Sequence, residues 1–379
     1  MEIPTWVLIL FLSIGFAYYL IVLVFTLGWF FMMYFQKPEK NPSVTVSIII
    51  PARNEENNIM FCLRSLTVQN YPKELFEVLV VDDHSEDKTA ELINQYADKI
   101  HSSGINLRLL SSNNVSGKKN AIDFAIRHST GKFIITLDAD CVARPDWIAT
   151  IASYYEEYHP QMIVSPVIFS ENTSLLGKWQ ALEFYSLVVS GAGAVSAGHP
   201  ILCNGANLAY AKEAYLAVGG FTRGEMFASG DDTFLLFSIA ARYGKHAIRF
   251  LKSYDAIVKT NAIATFSGFV RQRLRWVSKT RGYTDVWTIQ TALVVFLFNT
   301  ILLTGLCLGI FNTSFLRLTL IIWGVKILID FPLLAGYTSF ARQRRLLWGY
   351  LPLSLVYPFY ICFFALAGQV WKPRWKGRK

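Results

Sequence analysis

Hydrophobic residues are distributed unevenly along the chain, with long apolar stretches at both ends and short apolar runs between them. Residues 3–35 contain no Lys, Arg, Asp or Glu, and residues 287–371 are apolar with few charges. Because a helix needs roughly 20 apolar residues to cross a bilayer, both ends are long enough to be embedded in a membrane. We therefore predict a transmembrane anchor over residues 1–36, a globular domain over residues 37–285 and a C-terminal membrane region over residues 286–379.

The C-terminal membrane region contains three apolar segments, near residues 287–311, 315–337 and 347–370. If all three cross the membrane, the basic tail over residues 372–379 lies on the opposite side from the globular domain, against the positive-inside rule. Pro352 and Pro358 suggest an alternative in which the last segment turns back as a re-entrant loop. The sequence leaves these two topologies open.

Two opposite charges, Lys326 and Asp330, lie four residues apart in the middle apolar segment. On a helix this spacing places them on one face, where they can neutralise each other in lipid. Two roles fit this arrangement. The residues form either a structural pair that faces the helix bundle or part of the lining of a path for a substrate.

The globular domain begins with a repeated strand–helix pattern. Apolar and β-branched residues predict strands over residues 44–50, 78–81, 107–110 and 132–137, with helices between them. Strands that alternate with helices typically form a parallel sheet, so we predict an α/β fold. Because the carboxyl ends of such strands lie at one edge of the sheet, polar residues that follow them should meet there.

The fourth predicted strand ends in two carboxylates, Asp138 and Asp140, separated by one small residue. Such a pair can hold a hard divalent cation and leave other coordination positions to water and phosphate oxygens, as Mg²⁺ prefers. This pattern predicts a metal site that binds a diphosphate. The alternative is a turn in which the aspartates serve only the local backbone.

Polar residues also follow the first two strands and precede a helix. Asn54 and Glu55 come after the first strand, and Asp82 and Asp83 come after the second. A later pair of basic residues, Lys118 and Lys119, opens a predicted helix directly after a glycine. Backbone N–H groups and ammonium groups at a helix start can bind phosphate together, although Gly-Lys pairs are also common in ordinary loops.

Asp231 and Asp232 precede an apolar run over residues 233–241. We predict that they cap the helix formed by this run. Since one side chain is enough for a cap, the second remains for chemistry.

Gln272, Arg275 and Trp276 are spaced so that they share one face of a predicted helix. A basic amphipathic helix just before a membrane segment could lie on the bilayer surface. The same face could also bind a diphosphate and stack on a sugar ring.

The charge distribution argues against nucleic acid as a partner. The chain has a formal net charge of +9, and residues 287–379 hold ten basic residues against Asp330 alone, whereas residues 37–286 are nearly neutral. The basic excess therefore flanks the membrane segments, which indicates anchoring and not a nucleic-acid surface.

The cysteines are scattered without the spacing of metal ligands, at positions 62, 141, 203, 307 and 362. Scattered free thiols favour a reducing compartment and thus a cytosolic globular domain.

Five motifs occur in a fixed order: Pro51-Ala52-Arg53-Asn54-Glu55, Asp82-Asp83, Asp138-Ala139-Asp140, Gly230-Asp231-Asp232 and Gln272-x-x-Arg275-Trp276. This set resembles the motifs of membrane-integrated family-2 glycosyltransferases, which include cellulose, chitin, hyaluronan and poly-N-acetylglucosamine synthases, and it is similar to ceramide glucosyltransferase. The resemblance covers residues 44 to about 282 and the layout of the flanking membrane helices. It implies a GT-A fold, a nucleotide-diphospho-sugar donor, a divalent metal, Mg²⁺ or Mn²⁺, and inversion at the anomeric carbon.

The resemblance also implies a role for each matching residue. The nucleoside would contact Asn54, Glu55 and Asp82 or Asp83, and Lys118 or Lys119 would lie near the donor. Asp138 would lie near the ribose and the metal, and Asp140 would bind the metal. Asp232 would be the general base, and the groups around the diphosphate and the acceptor would be Asp231, Gln272, Arg275 and Trp276. Many processive members have Thr-Glu-Asp where this chain has Gly230-Asp231-Asp232, so processivity is not implied.

These features together predict a membrane-bound inverting glycosyltransferase of the inner (plasma) membrane. It would move a sugar from a UDP-sugar to a hydroxyl of a growing polysaccharide or a lipid at the cytosolic face. Four membrane segments are few for a polymer channel, which favours a lipid acceptor or a partner membrane subunit. The alternative from another class is a non-catalytic sugar-nucleotide-binding scaffold or sensor. The large charged middle domain argues against a transporter.

Overall fold

The computed structural model describes residues 3–39, 42–111, 116–171, 174–221 and 230–370. Its helices are α1 (Thr5–Phe31), α2 (Ile59–Thr67), α3 (Thr89–Ile100), α4 (Lys118–His128), α5 (Trp147–Tyr158), α6 (Leu175–Ser196), α7 (Lys212–Ala217), α8 (Asp231–Tyr243), α9 (Phe266–Ser278), α10 (Val286–Gly309), α11 (Thr313–Phe340) and α12 (Tyr350–Val370). Its strands are β1 (Val46–Ala52), β2 (Phe76–Asp82), β3 (Asn106–Leu110), β4 (Phe133–Leu137), β5 (Val142–Ala143), β6 (Met162–Val164), β7 (Val167–Phe169), β8 (Asn207–Ala211), β9 (Ile248–Phe250) and β10 (Val258–Thr260).

The main sheet has seven strands in the order β3-β2-β1-β4-β8-β6-β9. The strands β3, β2, β1 and β4 are parallel, and Ile48 of β1 pairs with Val78 of β2 and Ile135 of β4. These strands are apolar on both faces because helices cover both sides of a parallel sheet. The predicted α/β start of the domain is therefore confirmed. β8 joins the sheet antiparallel to β4 and β6, and a small sheet of β5, β10 and β7 lies beside it.

Helix α6 was not predicted from the sequence, and it spans 22 residues that end at Ser196. The helix is buried on nearly all sides, so its sequence shows no amphipathic period. It crosses α1 at two glycines: a Cβ on Gly193 would lie 2.1 Å from the Phe25 carbonyl oxygen, and one on Gly28 would lie 2.3 Å from that of Gly193. The two backbones therefore touch, which joins α1 to the globular domain.

Among the residues that the structure describes, four helical stretches are long and apolar enough to cross a membrane: Thr5–Phe31, Val286–Gly309, Thr313–Phe340 and Arg344–Val370. The three predicted C-terminal apolar segments thus all form helices. The alternative of a re-entrant last segment does not fit the structure, because α12 continues through Pro358 to Val370. Pro352 lies in the first turn of α12, where backbone N–H groups have no helical partner to lose. The basic tail over residues 372–379 lies outside the described residues.

The membrane helices hold the predicted charge pair between them. Lys326 and Asp330 form an ion pair on α11, and the Tyr18 hydroxyl of α1 donates to both carboxylate oxygens of Asp330 at 3.0 Å. The ring of Tyr18 also stacks on Phe298 of α10 with 4.2 Å between the ring centroids. This network joins three helices of the bundle through a neutralised pair.

Candidate active site

Asp138 and Asp140 directly follow β4, which lies between β1 and β8 in the main sheet. The Asp138 carboxylate accepts a hydrogen bond from the Lys118 ammonium at the start of α4. Asp140 accepts a hydrogen bond from the Thr260 hydroxyl of β10 at 3.1 Å. The two sheets and α4 thus hold both carboxylates at the carboxyl edge of β4, as the sequence predicts.

A cavity of about 950 Å³ lies against this edge. It continues between the membrane helices as far as Lys326 and Asp330. Eight of the predicted site residues belong to its lining: Lys118, Asp138, Asp140, Asp231, Asp232, Gln272, Arg275 and Trp276. Residues more than 150 positions apart in the chain therefore meet around one cavity.

The remaining predicted donor-binding residues lie nearby, outside the described lining of this cavity. Asp83 is buried and accepts hydrogen bonds from the backbone N–H of Gly117 at 3.0 and 3.1 Å, so it fixes the start of α4. Asn54 has a φ of 51° and accepts a hydrogen bond from the Glu86 N–H at 2.8 Å. Asp82 accepts a weaker one from the Ser85 N–H at 3.3 Å. These residues shape the loops that follow β1 and β2, beside the cavity.

Asp231 and Asp232 are the first two residues of α8, and Gly230 is the capping residue. The prediction that the aspartates occupy the capping position is therefore wrong, although Asp232 still bonds to the backbone of the first turn of α8. Asp231 pairs with Lys119 at 3.5 Å. Asp232 accepts hydrogen bonds from the backbone N–H groups of Gly205 at 2.9 Å and Thr233 at 2.7 Å, and it lies 3.7 Å from the Lys279 ammonium.

The carboxylates of the site differ in pKa. Burial raises the pKa of Asp140 to about 6, and the neighbouring charges of Asp138 and Glu55 add to this effect. Burial also raises the pKa of Asp231, against the charge of Lys119. Burial acts in the same direction on Asp232, but the charge of Lys279 and two backbone N–H groups outweigh it and lower its pKa. Asp232 is therefore ionised at neutral pH.

The site carries excess negative charge where a metal would bind. Asp138 and Asp140 lie two residues apart, and Glu55 is close enough to raise the pKa of Asp140. Within the described residues, no three His, Cys, Asp or Glu side chains form a ready metal cluster. Mg²⁺ and Mn²⁺ need only one or two carboxylates when water and phosphate oxygens supply the other ligands. Asp138 and Asp140 therefore fit a divalent cation that binds together with a diphosphate.

Helix α9 places Gln272, Arg275 and Trp276 at the cavity. Arg273, in the middle of this motif, also belongs to the cavity lining and is itself buried. Its guanidinium forms an ion pair with Glu183 of α6 and lies 4.2 Å from the centre of the Trp276 ring. The sequence analysis missed Glu183 and Lys279, because neither lies in a recognised motif.

The comparisons with known proteins agree with this geometry. A model described as "Glycosyl transferase family group 2" matches residues 133–371, and one described as "Glycosyl transferase family 2" matches residues 47–208. The chain belongs to the family 2 glycosyltransferases.

Two relatives of this family 2 chain illustrate the range of similarity. "Glycosyltransferase AglE" of Haloferax volcanii is 39% identical over 103 residues, which cover 27% of this chain and 33% of the relative. A Methanococcus voltae protein, "Dolichyl N-acetyl-alpha-D-glucosaminyl phosphate 3-beta-D-2,3-diacetamido-2,3-dideoxy-beta-D-glucuronosyltransferase", is 23% identical over 291 residues, which cover 72% of this chain and 85% of the relative. The chain thus spans about a third of the first relative and most of the second.

A solved structure shares the fold of the family 2 chain. It is "Mannosyltransferase PcManGT from Pyrobaculum calidifontis in complex with GDP-Man and Mn2+", with a TM-score of 0.56 and 18% identity over 93% of this chain and 98% of that one. The GT-A fold predicted from the motifs is therefore confirmed.

Proposed function

We propose that the protein is a membrane-bound, metal-dependent, inverting glycosyltransferase that moves a sugar from a UDP-sugar to an acceptor hydroxyl. One observation carries this proposal. The cavity that holds Asp138, Asp140 and Asp232 at one end continues between the membrane helices at the other. A soluble donor and a membrane-bound acceptor can therefore meet at the same carboxylates.

The donor occupies the end of the cavity at β4. Asn54, Glu55, Asp82 and Asp83 shape the loops that receive the nucleoside. Asp138 and Asp140 would hold Mg²⁺ or Mn²⁺, which neutralises negative charge on the leaving diphosphate. The mannosyltransferase that shares the fold was solved with GDP-Man and Mn²⁺, in keeping with this assignment.

Arg275 and Lys118 supply fixed positive charge to the same end. Burial lowers the pKa of Arg275, although nearby aspartates act against that shift, and the guanidinium remains charged at neutral pH. Cations that are already in place stabilise the charge that develops on a leaving group without reorganisation at the moment of reaction. Gln272 and Trp276 complete this wall, and Trp276 offers a flat ring for a sugar.

Asp232 is the proposed general base. The acceptor hydroxyl must lose a proton as the new glycosidic bond forms and the bond to the diphosphate breaks, and Asp232 accepts that proton. Its depressed pKa keeps it ionised at neutral pH and ready for this role. A single displacement of this kind inverts the anomeric configuration.

The acceptor is a lipid or a growing polysaccharide, and the cavity favours the lipid. Aliphatic and aromatic side chains dominate the wall between the membrane helices, for example Val22, Phe25, Leu293, Phe296 and Leu353. An alkyl or isoprenoid chain is compatible with such a lining, whereas a bare glycan would leave its hydroxyls without partners. The Methanococcus relative carries a dolichyl-linked substrate in its name, which supports the same choice. A polysaccharide product would instead call for a partner membrane subunit.

We place the catalytic domain on the cytosolic side of the inner membrane, and its free cysteines Cys62, Cys141 and Cys203, which favour a reducing compartment, support this choice. A non-catalytic scaffold that binds sugar nucleotides is the alternative function. It would bind a donor without consuming it.

The test is release of nucleoside diphosphate by detergent-purified protein from a panel of UDP- and GDP-sugars, with Mn²⁺ or Mg²⁺ and a membrane-lipid extract. We expect one UDP-sugar to be consumed and Asp232→Asn to lower kcat by about 10²–10⁴-fold while donor binding persists. Asp98→Asn, which changes an exposed carboxylate on α3, is the matched control and should keep full turnover.

Each other outcome contradicts a defined part of the proposal. Equal turnover by Asp232→Asn would remove Asp232 as the base. Donor binding without turnover of any sugar would support the scaffold. The size of the product separates a glycolipid from a polymer, and its anomeric configuration by NMR tests inversion.

A further inference from the structure

Lys279 is a charged residue of the cavity to which the motifs assign no role. It follows α9 directly, and its ammonium lies 3.7 Å from Oδ1 of Asp232. Both groups are largely buried, with side-chain exposures of 17% and 18%. In this setting a carboxylate without a nearby cation would favour its protonated form. The position of Lys279 therefore bears directly on the charge of Asp232.

Gly230 makes room for the Lys279 side chain. A Cβ on Gly230 would lie 2.8 Å from Cδ of Lys279 and 3.3 Å from its Cβ. The lysine stem thus crosses the space that a side chain at position 230 would fill. Gly230 also has a φ of +98°, a left-handed conformation that favours glycine. Position 230 is one of the two at which Gly-Asp-Asp departs from the Thr-Glu-Asp of many processive family members, and position 231 is the other.

We propose that Lys279 is a positioning residue that holds Asp232 as a fixed, ionised base, and that Gly230 is the residue that admits it. This inference rests on the proposed glycosyl transfer. Oδ2 of Asp232 is fixed by the Gly205 N–H and Oδ1 by the Thr233 N–H, so the carboxylate has a defined orientation. At 3.7 Å, the Lys279 ammonium compensates the negative charge of Asp232 without a direct hydrogen bond. Lys279 therefore does not block the uptake of a proton by the Asp232 carboxylate.

Other groups also face Asp232, and among the cations Lys279 acts on its carboxylate most strongly. The titratable and charged groups around it are Lys118 on α4, Asp231 on α8, Arg275 on α9, Cys203 before β8 and Tyr283 after α9. Lys118 forms its ion pair with Asp138, and Asp231 has its own partner in Lys119. Removal of Lys279 would therefore leave Asp232 buried beside a second carboxylate.

The first experiment compares Lys279→Met, which keeps the stem without the charge, with Lys279→Arg, which keeps the charge. In Lys279→Met we expect kcat/KM to fall at least about tenfold at pH values below its acid limb, and to change much less at pH 7, where Asp232 is ionised in both proteins. The acid limb of the kcat/KM profile of Lys279→Met should move to higher pH by about one unit or more, because Asp232 without its cation is protonated at a higher pH. The donor KM should change little, and Lys279→Arg should retain the wild-type acid limb.

Two outcomes would overturn the inference. An unchanged acid limb in Lys279→Met would show that Lys279 does not set the charge of Asp232. A loss confined to the donor KM would show that Lys279 binds the diphosphate instead.

A second experiment does not depend on turnover. Thermal unfolding of Lys279→Met, Asp232→Asn and the double variant forms a double-mutant cycle. We expect Lys279→Met to lower Tm and Asp232→Asn to restore part of the loss, because the uncompensated charge is gone. If the Tm changes of the two single variants simply add in the double variant, Lys279 and Asp232 are not paired. If the cycle shows coupling but wild type consumes no donor, the proposed function fails and the pairing stands.

The role of Gly230 has a matched control within the chain. Gly104 has a similar left-handed conformation, with φ 79° and ψ 8° against φ 98° and ψ 12° at Gly230, and a Cβ there meets only Cδ of Lys73, at 3.9 Å. Gly230→Ala and Gly104→Ala therefore impose a similar backbone strain, and only the first brings its Cβ into collision with Lys279. We expect only Gly230→Ala to move the acid limb as Lys279→Met does. Equal profiles for the two alanine variants would contradict the role of Gly230.

Discussion

Two groups of ion pairs lie at the two ends of the cavity, and they are built differently. The site pairs, Asp138–Lys118, Asp231–Lys119 and Asp232–Lys279, lie at the end near β4, and two of them are separated by 3.5 and 3.7 Å. The bundle pairs, Glu183–Arg273 and Lys326–Asp330, lie toward the membrane helices.

The bundle pairs are closed by further hydrogen bonds. Glu183 accepts two N–H groups of Arg273 and the hydroxyl of Tyr360 at 2.8 Å. Asp330 accepts from Lys326 and from Tyr18. A buried pair whose hydrogen bonds are satisfied holds elements together, whereas a looser pair can give up a partner when a ligand arrives. We therefore expect substitutions of the bundle carboxylates to lower stability and substitutions of the site carboxylates to lower activity.

The largest effect should come from Glu183. Glu183→Leu leaves Arg273 buried without its partner and should lower the free energy of unfolding by about 3–5 kcal/mol. Glu183→Leu combined with Arg273→Met should recover most of that loss, because no buried charge remains. Denaturation in detergent measures both. Arg127→Gln, which breaks an exposed pair with Asp123, is the surface control and should change the free energy of unfolding very little. If Glu183→Leu is as mild as this control, the bundle pair is not structural.

Asp140 is a site carboxylate, so its substitution should lower activity and not stability. Asp140→Asn should lower metal-supported turnover at least about 100-fold. Because burial and the charges of Asp138 and Glu55 raise its folded-state pKa to about 6, the native state binds this proton more tightly than the unfolded chain does. Stability of the metal-free protein should therefore fall as pH rises from about 4 to about 6.

At pH 7, then, metal-free Asp140→Asn should melt at a higher temperature than wild type, and Mn²⁺ should raise the Tm of wild type alone. Thermal scans from pH 4 to pH 8, with and without Mn²⁺, measure this. A lower Tm for Asp140→Asn at pH 7 would place Asp140 with the structural carboxylates.

Tyr18 should show the smallest effect. Tyr18→Phe removes the hydroxyl that joins α1 to Asp330 but leaves the Lys326 ion pair in place. Hydrogen bonds between membrane helices contribute about 0.6 kcal/mol on average and up to about 1.7 kcal/mol, so the loss of stability should fall in this range. Turnover at saturating donor should be unchanged. A large loss of turnover would instead favour the other role of this pair, as lining of a path for the acceptor.

The sequence alone was sufficient for the features that depend on local pattern. Apolar runs predicted all four helices that can cross a membrane, and β-branched runs predicted the parallel strands β1, β2, β3 and β4. The order of the motifs was enough for the family and for the GT-A fold. It also led to eight of the residues that the structure places around one cavity, including Asp138, Asp140 and Asp232.

Only the tertiary structure decided which charges are paired and how the site joins the membrane. Helix α6 has no amphipathic period because it is buried all round, so neither it nor Glu183 could be recognised from pattern. Asp232 and Lys279 are 47 residues apart and come together only because α8 packs beside the end of α9. Hydrophobic period and motif spacing describe neighbours along the chain. Ion pairing and cavity shape depend on how distant elements pack, and that information is not present in any one stretch of sequence.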